Sequence, residues 1–259
     1  MTRRETFAAT DISKKEMVLA TDLDGTFLGG TEADRKAFYA FIEDNRDRVG
    51  LIFVTGRDPA FIVNAVKKGL PAPEFVIGDV GTTIARFDAD GHVSPIGDLE
   101  ADIAEAWGAA GHTVLTALGQ VDGLTLQSSG FRYRASFDMD PAIFDPAALD
   151  IVADLGLDAL ISDNRFFDVL PKGVSKGPSL LRLLAHLGID NARTLVAGDT
   201  LNDLSMLALG LPAVAVGGSE TALLTRLEGH THVHLAKGVG VAGIAEAILQ
   251  FKLLSKTPS

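Results

Sequence analysis

Five short runs of apolar residues divide the chain, and none of them alternates with polar positions. They are MVLAT (17–21), VGLIFVT (49–55), EFVIG (74–78), TLVAG (194–198) and PAVAV (212–216). Uninterrupted apolar runs of this length are typical of strands buried on both faces, as in a parallel sheet between two helical layers. Between these runs lie segments with apolar residues at helical spacing, namely 32–45, 59–69 and 176–188, and a further one follows at 241–251. Strands that alternate with helices predict a doubly wound α/β fold.

The alternation is interrupted between residues 84 and 166. This interval contains two predicted hairpins, with turns at Asp90-Gly91 and Asp163-Asn164, and two predicted helices. Such a mixture is typical of a small α+β unit inserted into a larger sheet. We therefore predict a flexible arm over residues 1–16, a core domain over 17–83 and 167–259, and an inserted α+β cap domain over 84–166.

The composition of the chain excludes several classes of function. The chain has 259 residues, is 47% hydrophobic and carries a formal net charge of −11, which argues against nucleic-acid binding because phosphate backbones select clustered Lys and Arg. It contains no cysteine, which excludes disulfides and thiolate chemistry. The polar N-terminus is unlike a secretory signal, and no apolar stretch is long enough to span a bilayer. These features predict a cytoplasmic protein that has no membrane or nucleic-acid partner.

Polar side chains follow three of the predicted strands directly. Asp22 and Asp24 come after the first strand, Thr55 ends the second, and Asp199 follows the fourth. Ligands of open parallel sheets bind beyond the carboxyl ends of the strands, so we expect these side chains to converge at one edge. An isolated D-x-D motif is a weak signal, since Asp and Gly are also common in turns, but convergence strengthens it.

Closely packed carboxylates repel one another, and a cation is needed to keep them ionised. Mg²⁺ matches this requirement because it prefers oxygen ligands and often bridges to a substrate phosphate. We expect Asp22, the backbone carbonyl of Asp24 and Asp199 to hold it, with Asp203 in support. The segment GDTLND (198–203) is equally compatible with a capped helix start, and both interpretations can hold together.

Two aspartates at this spacing suit phosphoryl transfer. An ionised Asp22 can attack phosphorus and form an aspartyl-phosphate, while Asp24 manages the protons of the leaving group and the water. Thr55 would donate a hydroxyl to the phosphoryl group. The acidic site also needs a local cation, for which Lys176 and Lys172 are both candidates, although either is equally compatible with a solvated loop lysine.

The chain resembles the haloacid dehalogenase-like phosphatases from about residue 17 to 252. Four motifs appear in order: DLDGT (22–26), TGR (55–57), the lysine of VSKG (174–177) and GDTLND (198–203). The resemblance implies Asp22 as nucleophile, Asp24 as general acid and base, Thr55 and Lys176 as phosphate ligands, and Mg²⁺ as cofactor. It favours Lys176 over Lys172. We also expect Gly56 and Asn202 of these motifs to contact the substrate, whereas Arg57 either contacts it or orients the loop.

Within that family, the insertion between the second and third motifs is similar to the branch with a large α/β cap. The segments DVLPKGVSKG and EFVIGDVGTTI resemble the sucrose-phosphate phosphatases, although Thr200 and Leu201 stand where that subgroup typically has serine and glycine. The resemblance implies hydrolysis of a sugar phosphate, such as sucrose 6-phosphate or a related mannosyl or glucosyl sugar phosphate.

The cap is expected to select the sugar. The segment FRYRASF alternates, which predicts a strand with Arg132 and Arg134 on one face. That face either lies in solvent or faces the substrate. The subgroup resemblance favours Arg132 as the sugar contact, with Arg134 and Gln127 as further candidates.

Two other functions remain compatible with the sequence: a phosphosugar mutase, which uses the same aspartyl-phosphate, and a non-catalytic sugar-phosphate-binding protein. The histidines of HTHVH (230–234) predict either a surface edge or, less readily, a zinc site formed by His230, His232 and His234. The sequence leaves the oligomeric state open, and a monomer is compatible with it.

Overall fold

The computed structural model describes residues 11–128 and 130–255. The strands are β1 (Met17–Thr21), β2 (Val49–Val54), β3 (Phe75–Gly78), β4 (Thr83–Phe87), β5 (Val93–Pro95), β6 (Leu124–Leu126), β7 (Ala135–Met139), β8 (Asp158–Ser162), β9 (Phe166–Leu170), β10 (Thr194–Gly198), β11 (Ala213–Gly217) and β12 (Val233–Val239). The helices are α1 (Glu32–Asp44), α2 (Pro59–Lys67), α3 (Gly97–Trp107), α4 (Ala110–Leu118), α5 (Ala147–Asp154), α6 (Lys176–Leu187), α7 (Leu204–Leu207), α8 (Thr221–Arg226) and α9 (Val241–Phe251).

The larger sheet has eight strands in the order β12-β11-β10-β1-β2-β3-β4-β5. The six strands from β12 to β3 run parallel, while β4 and β5 pair antiparallel at one edge. From β1 the chain proceeds to β2 and β3 on one side, and from β10 to β11 and β12 on the other. The strand order therefore reverses between β1 and β10, which is where such sheets form a ligand crevice. The predicted α/β fold is confirmed, including its five strands.

Both faces of the large sheet are covered, which explains the unbroken apolar runs. On β1, Val18 and Ala20 belong to one hydrophobic cluster, whereas Met17 and Leu19 belong to the other. All four side chains are fully buried. Because successive residues of a strand point to opposite faces, a sheet between two helical layers requires apolar residues at every position.

The inserted unit forms a four-stranded antiparallel sheet in the order β6-β7-β9-β8. Helices α4 and α5 cover one face, where Phe137 and Phe167 pack in a common cluster with Val114 and Val152. Along β9, Phe167 and Val169 face this cluster, so Phe166 and Asp168 lie on the opposite face. That second face lines the cavity described below.

Sheet membership differs from the predicted boundaries of the inserted domain, residues 84 and 166. The β4–β5 hairpin extends the large sheet, because β4 pairs with β3 along the whole of Phe75–Gly78. Conversely, β9 lies between β7 and β8 in the small sheet, although residues 167–170 were predicted as core. A hairpin pattern specifies pairing within the hairpin but does not specify the sheet to which the hairpin belongs.

Part of the predicted N-terminal arm is packed against the core. Residues 1–10 lie outside the described residues, but Ile12 is 5% exposed and belongs to a hydrophobic cluster of the large sheet. Lys15 is buried, donates to the carbonyl of Val49 (3.3 Å) and pairs with Glu74. Residues 11–16 are therefore ordered against the sheet and do not form a flexible arm.

Candidate active site

The segment that follows β1 places its side chains at the reversal point of the large sheet. The amide of Asp22 donates to the carbonyl of Ala197 on β10 (2.9 Å). Gly25 then adopts φ +76°, and a Cβ there would lie 2.0 Å from Oδ2 of Asp199. Thr26 donates its hydroxyl to Oδ1 of Asp199 (2.7 Å). The sequence DLDGT thus brings Asp22 beside Asp199, and only glycine fits at position 25.

Lys176, the first residue of α6, is fully buried beside the catalytic candidates. Its ammonium donates to Asp22 Oδ1 (2.7 Å), Asn202 Oδ1 (2.6 Å) and Asp203 Oδ1 (2.6 Å), which uses all three of its N–H groups. Burial alone would lower the pKa of Lys176, but the carboxylates of Asp203 and Asp22 outweigh burial and raise it. Lys172, in contrast, is exposed.

Both carboxylate oxygens of Asp203 accept hydrogen bonds from neighbouring residues of the site. Its Oδ1 accepts from Lys176, and its Oδ2 accepts from the amides of Asp199 (2.9 Å) and Thr200 (3.0 Å). Thr200 and Asp203 also form a reciprocal capping box at the short helix that follows. The segment GDTLND is thus both a capped helix start and part of the site.

The acidic residues form a donor set that suits a hard divalent cation. Carboxylate oxygens of Asp22, Asp199 and Asp203 lie within 4.8 Å of one another, the one such group of three or more metal-binding side chains among the described residues. Burial, together with the charge of Asp203, raises the pKa of Asp199 to about 7, and burial also raises that of Asp22 well above its usual range. Buried carboxylates with raised pKa values are stabilised as anions by a cation, and all-oxygen ligands are those that Mg²⁺ prefers.

Asp24 and Arg57 form a bidentate ion pair at the mouth of the site. Arg57 donates through Nε to Asp24 Oδ2 (2.7 Å) and through Nη2 to Oδ1 (2.8 Å). The guanidinium also lies over the ring of Phe61, 4.6 Å from its centroid. Both side-chain oxygens of Asp24 are therefore occupied by Arg57, which is compatible with the prediction that only the backbone carbonyl of this residue contacts the metal.

Thr55 lies directly after β2 and is fully buried. Its hydroxyl oxygen accepts from the amide of Arg57 (3.1 Å), which leaves its proton available to a ligand. Gly56 and Arg57 line the cavity, whereas Thr55 and Lys176 lie behind its surface. The structure therefore brings the predicted phosphate-binding residues to the same sheet edge as Asp22.

A cavity of about 520 Å³ lies between the large sheet and the inserted unit. The core contributes Asp22, Asp24, Gly25, Gly56, Arg57, Asp58, Val80, Asp199, Thr200 and Asn202 to its lining. The inserted unit contributes Gln127, Phe131, Arg134, Ser162, Asp163, Arg165, Phe166 and Asp168. Two of the predicted cap residues, Gln127 and Arg134, thus line the cavity. Sequence reasoning missed Asp163 and Arg165, because the predicted turn at 163–164 gives no indication of what its tip faces.

Arg132 does not line the cavity, in contrast to the prediction. It pairs with Glu100 through two hydrogen bonds (2.8 and 2.9 Å) and donates to the hydroxyl of Thr83 (3.0 Å). The physical reason lies in the backbone: residues 131–134 are irregular, and β7 begins only at Ala135. Without strand geometry, Arg132 and Arg134 need not share a face.

The histidine segment is occupied by structural contacts. His232 contacts the carbonyl of Leu207 (2.9 Å), and His234 contacts Glu246 (2.7 Å). The rings of His230 and His232 pack edge to face, with centroids 5.4 Å apart. These contacts agree with the surface-edge interpretation, and β12, which sequence reasoning missed, begins within this segment at Val233.

Comparison with known proteins identifies similar chains. The model of the sucrose-6F-phosphate phosphohydrolase family matches residues 15–252. The chain is 38% identical over 242 residues to a glucosylglycerol-phosphate synthase of Pseudomonas anguilliseptica, covering 93% of this chain but only 31% of the length of that protein. It is 30% identical over 224 residues to a mannosylfructose-phosphate phosphatase of Agrobacterium fabrum, covering 80% of this chain and 86% of that protein.

Among solved structures, the sucrose-phosphatase of Synechocystis sp. PCC6803, determined in complex with sucrose and phosphate, has the same fold. It superposes with a TM-score of 0.84 at 23% identity, covering 93% of this chain and all of that one. Across residues 11–128 and 130–255, none of the helices has the length and apolar character needed to traverse a bilayer.

Proposed function

The chain belongs to the sucrose-6F-phosphate phosphohydrolase family and is a phosphoric monoester hydrolase of the haloacid dehalogenase type, and we propose that it is a magnesium-dependent phosphatase for a disaccharide or glycoside phosphate. The candidate substrates are sucrose 6-phosphate, mannosylfructose phosphate and glucosylglycerol phosphate, since relatives carry these names. The observation that carries the proposal is the contact of buried Lys176 with Asp22 at the floor of a cavity covered by the inserted unit.

In the first step, a carboxylate oxygen of Asp22 attacks phosphorus while the bond between phosphorus and the sugar oxygen breaks. Lys176 holds Asp22 in one orientation and offsets the negative charge that the phosphoryl group brings into the site. Thr55 donates its hydroxyl proton to a phosphoryl oxygen, a role supported by the hydrogen bond in which its oxygen only accepts, from the amide of Arg57. A magnesium ion held by Asp22, Asp199 and the carbonyl of Asp24 would supply positive charge to the phosphoryl oxygens.

Asp24 transfers the protons in both steps. It gives a proton to the departing sugar oxygen and then takes one from the water that attacks the aspartyl-phosphate, so the proton balance closes over one cycle. The pair with Arg57 occupies both carboxylate oxygens, so at least one of these bonds must open for the transfer to occur. The half-exposed position of both side chains permits this exchange at small cost.

The inserted unit serves as the cap in this proposal. Its small sheet, formed by β6 to β9, presents polar and aromatic side chains to the cavity opposite Asp22, where the sugar of a phosphate ester would lie. Closing the site from solvent protects the aspartyl-phosphate intermediate and strengthens electrostatic contacts with it.

The test is release of inorganic phosphate from a panel that contains the three candidate substrates, glucose 6-phosphate and p-nitrophenyl phosphate. We expect kcat/KM for at least one of the three candidates to exceed the values for glucose 6-phosphate and p-nitrophenyl phosphate. Conversion of a sugar phosphate into an isomer without phosphate release would instead indicate a mutase. Binding of these esters without turnover, in the presence of magnesium, would indicate a non-catalytic protein.

A further inference from the structure

Two contacts hold the guanidinium of Arg57 at the mouth of the cavity. The backbone of Arg57 is fixed on both sides, since its amide donates to the hydroxyl of Thr55 (3.1 Å) and its carbonyl accepts from the amide of Asp79 (3.0 Å). The side chain is half-exposed. Its end forms the bidentate pair with Asp24 and lies over the ring of Phe61, with the guanidinium carbon 4.6 Å from the ring centroid.

The ring of Phe61 is itself fixed by the start of α2. Asp58 caps this helix and accepts from the amide of Phe61 (2.8 Å), and Pro59 occupies the first helical position. Proline at that position has a φ suited to a helix, so the first turn is well defined. The ring is half-buried and packs on a hydrophobic cluster of the large sheet. Phe61 thus presents a fixed apolar surface to Arg57.

The contact with the ring is comparable in strength to the ion pair. A half-exposed ion pair contributes little by itself, because water screens the charges and ordering the side chains costs entropy. A guanidinium over an aromatic ring at this distance gains a similar amount. Removing the ring would therefore leave the Arg57 guanidinium free to turn away from Asp24 for a substantial part of the time.

The ring matters most during the reaction. For Asp24 to transfer a proton, one of its two bonds to Arg57 must open, and the pair is then held by a single hydrogen bond. We propose that Phe61 is a positioning residue: its ring keeps the guanidinium beside Asp24 in this state, so that the remaining bond still orients the carboxyl group towards the leaving oxygen. The proposal rests on the phosphatase function proposed above. Phe61 does not line the cavity, so it acts through Arg57.

The role of Asp24 in the first step depends on the leaving group. When the bond between phosphorus and an alkyl oxygen breaks, the electron pair stays on an alkoxide oxygen, which must take the proton of Asp24. In contrast, p-nitrophenolate leaves as a stable anion and needs no proton. The value of kcat/KM covers the steps up to phosphoryl transfer to Asp22, whereas kcat also includes hydrolysis of the aspartyl-phosphate. A variant that misplaces Asp24 should therefore lower kcat/KM for an alkyl ester more than for an aryl ester.

A matched pair of esters measures this difference. 4-Nitrobenzyl phosphate and p-nitrophenyl phosphate carry the same ring and nitro group and differ by one methylene, which makes the leaving group an alkoxide in the first and a phenolate in the second. The ratio of their kcat/KM values on one preparation cancels differences in folded fraction and metal content. We expect Phe61→Leu, which keeps an apolar side chain but removes the ring, to lower this ratio about 3- to 10-fold relative to the native protein.

Further variants separate loss of the ring over Arg57 from loss of packing. Phe61→Tyr keeps an aromatic ring and should give a ratio within about twofold of the native value. Phe41→Leu makes the same substitution at a half-buried phenylalanine of α1 in the same hydrophobic cluster, and it should leave the ratio unchanged. Arg57→Met should lower the ratio, and adding Phe61→Leu to it should lower the ratio no further, because the ring acts through Arg57.

The outcomes separate this inference from the proposed function. An unchanged ratio in Phe61→Leu, an equal fall in Phe61→Tyr or Phe41→Leu, or a further fall in the double variant overturns the positioning role and leaves the phosphatase intact. Failure of the native protein to hydrolyse any ester, including the sugar phosphates of the panel, overturns the proposed function and the positioning role together.

Discussion

Asp22 is held by Lys176 in a site where its charge is costly to bury, which is typical of a group kept for chemistry. We predict that Asp22→Asn abolishes turnover, because an amide cannot attack phosphorus. The amide oxygen can still accept a hydrogen bond from Lys176, and one negative charge is removed from an acidic site. The Tm of the metal-free variant should therefore be no lower than that of the native protein. Asp150→Asn, which changes an exposed residue of α5 that does not line the cavity, is the control and should retain activity. Multiple turnover by Asp22→Asn would contradict its role as nucleophile.

Asp24 differs from Asp22 in being exposed and paired with Arg57, a half-exposed side chain at the cavity mouth. Asp24→Asn should fold normally and lose roughly 10²–10⁴-fold in kcat, the usual scale for a general acid and base. Circular dichroism and phosphate release on the same sample check both parts. Activity close to that of the native protein would mean that another group transfers the protons.

Arg132 shows where residue-scale prediction from sequence reaches its limit. The alternation in FRYRASF predicted a strand face shared with Arg134, but the strand begins after both arginines, and Arg132 contacts Glu100. Alternation indicates a face only if the backbone is extended, and the sequence does not reveal where extension begins. In contrast, the sequence predicted that Asp22 and Asp199 lie at one sheet edge, since each directly follows a strongly patterned strand. The choice of Lys176 over Lys172 came from the family resemblance and not from a local pattern.

The revised position of Arg132 leads to a revised prediction. Arg132→Ala should lower the free energy of unfolding by about 1–3 kcal/mol, because Glu100 stays buried without its ion-pair partner, although partial exposure of Arg132 screens the pair. Adding Glu100→Gln should restore part of that loss in a double-mutant cycle. The kcat/KM values for sugar and aryl phosphates should change by the same factor. A selective loss on the sugar phosphate would return Arg132 to the substrate site.

At the scale of elements, the sequence predicted those strands that a local apolar pattern specifies. The strands β1, β2, β3, β10 and β11 are uniformly apolar, so their burial on two faces was evident. The edge strand β12 was missed, because its exposed positions interrupt the apolar pattern. The β4–β5 hairpin was predicted, but its pairing with β3 is a tertiary choice that local spacing cannot specify.

The short segment before β1 provides an element-scale prediction. Ile12 packs so closely on β2 that a Cβ at Gly50 would lie 2.5 Å from its Cγ1. Ile12→Ala should therefore lower the free energy of unfolding by about 2–4 kcal/mol, as for other buried aliphatic truncations. The value of kcat should stay unchanged, since the segment does not line the cavity. Denaturant unfolding measures the first quantity, and no change there would mean that the segment is a loose arm.

At the scale of the whole molecule, the protein carries a net charge of −11, and three of its carboxylates lie close together at one sheet edge. Folding brings Asp22 together with Asp199 and Asp203 of a segment far away in the sequence, and Lys176 neutralises only part of their charge. We expect a chelator to abolish phosphatase activity and added magnesium to restore it. Calcium should restore little, because it prefers more ligands and longer bonds. Full activity in excess chelator would exclude a metal requirement.

The same charges predict how magnesium and pH act together on stability. Burial raises the pKa of Asp199 from 3.8 to about 7 in the metal-free fold, so the folded state binds this proton more tightly than the unfolded chain. The contribution of Asp199 to the free energy of unfolding is therefore greatest below about pH 4. It declines as the pH rises towards about 7, where Asp199 ionises in the folded protein. Magnesium binds the ionised form, so its stabilising effect should run in the opposite direction and grow with pH. The measurement is the difference in Tm with magnesium and with chelator, which should be larger at about pH 8 than at about pH 5. Asp199→Asn has no charge to titrate at this position and should show a smaller, flatter difference. A magnesium effect that is equal at both pH values in the native protein would mean that the cation does not bind at Asp199.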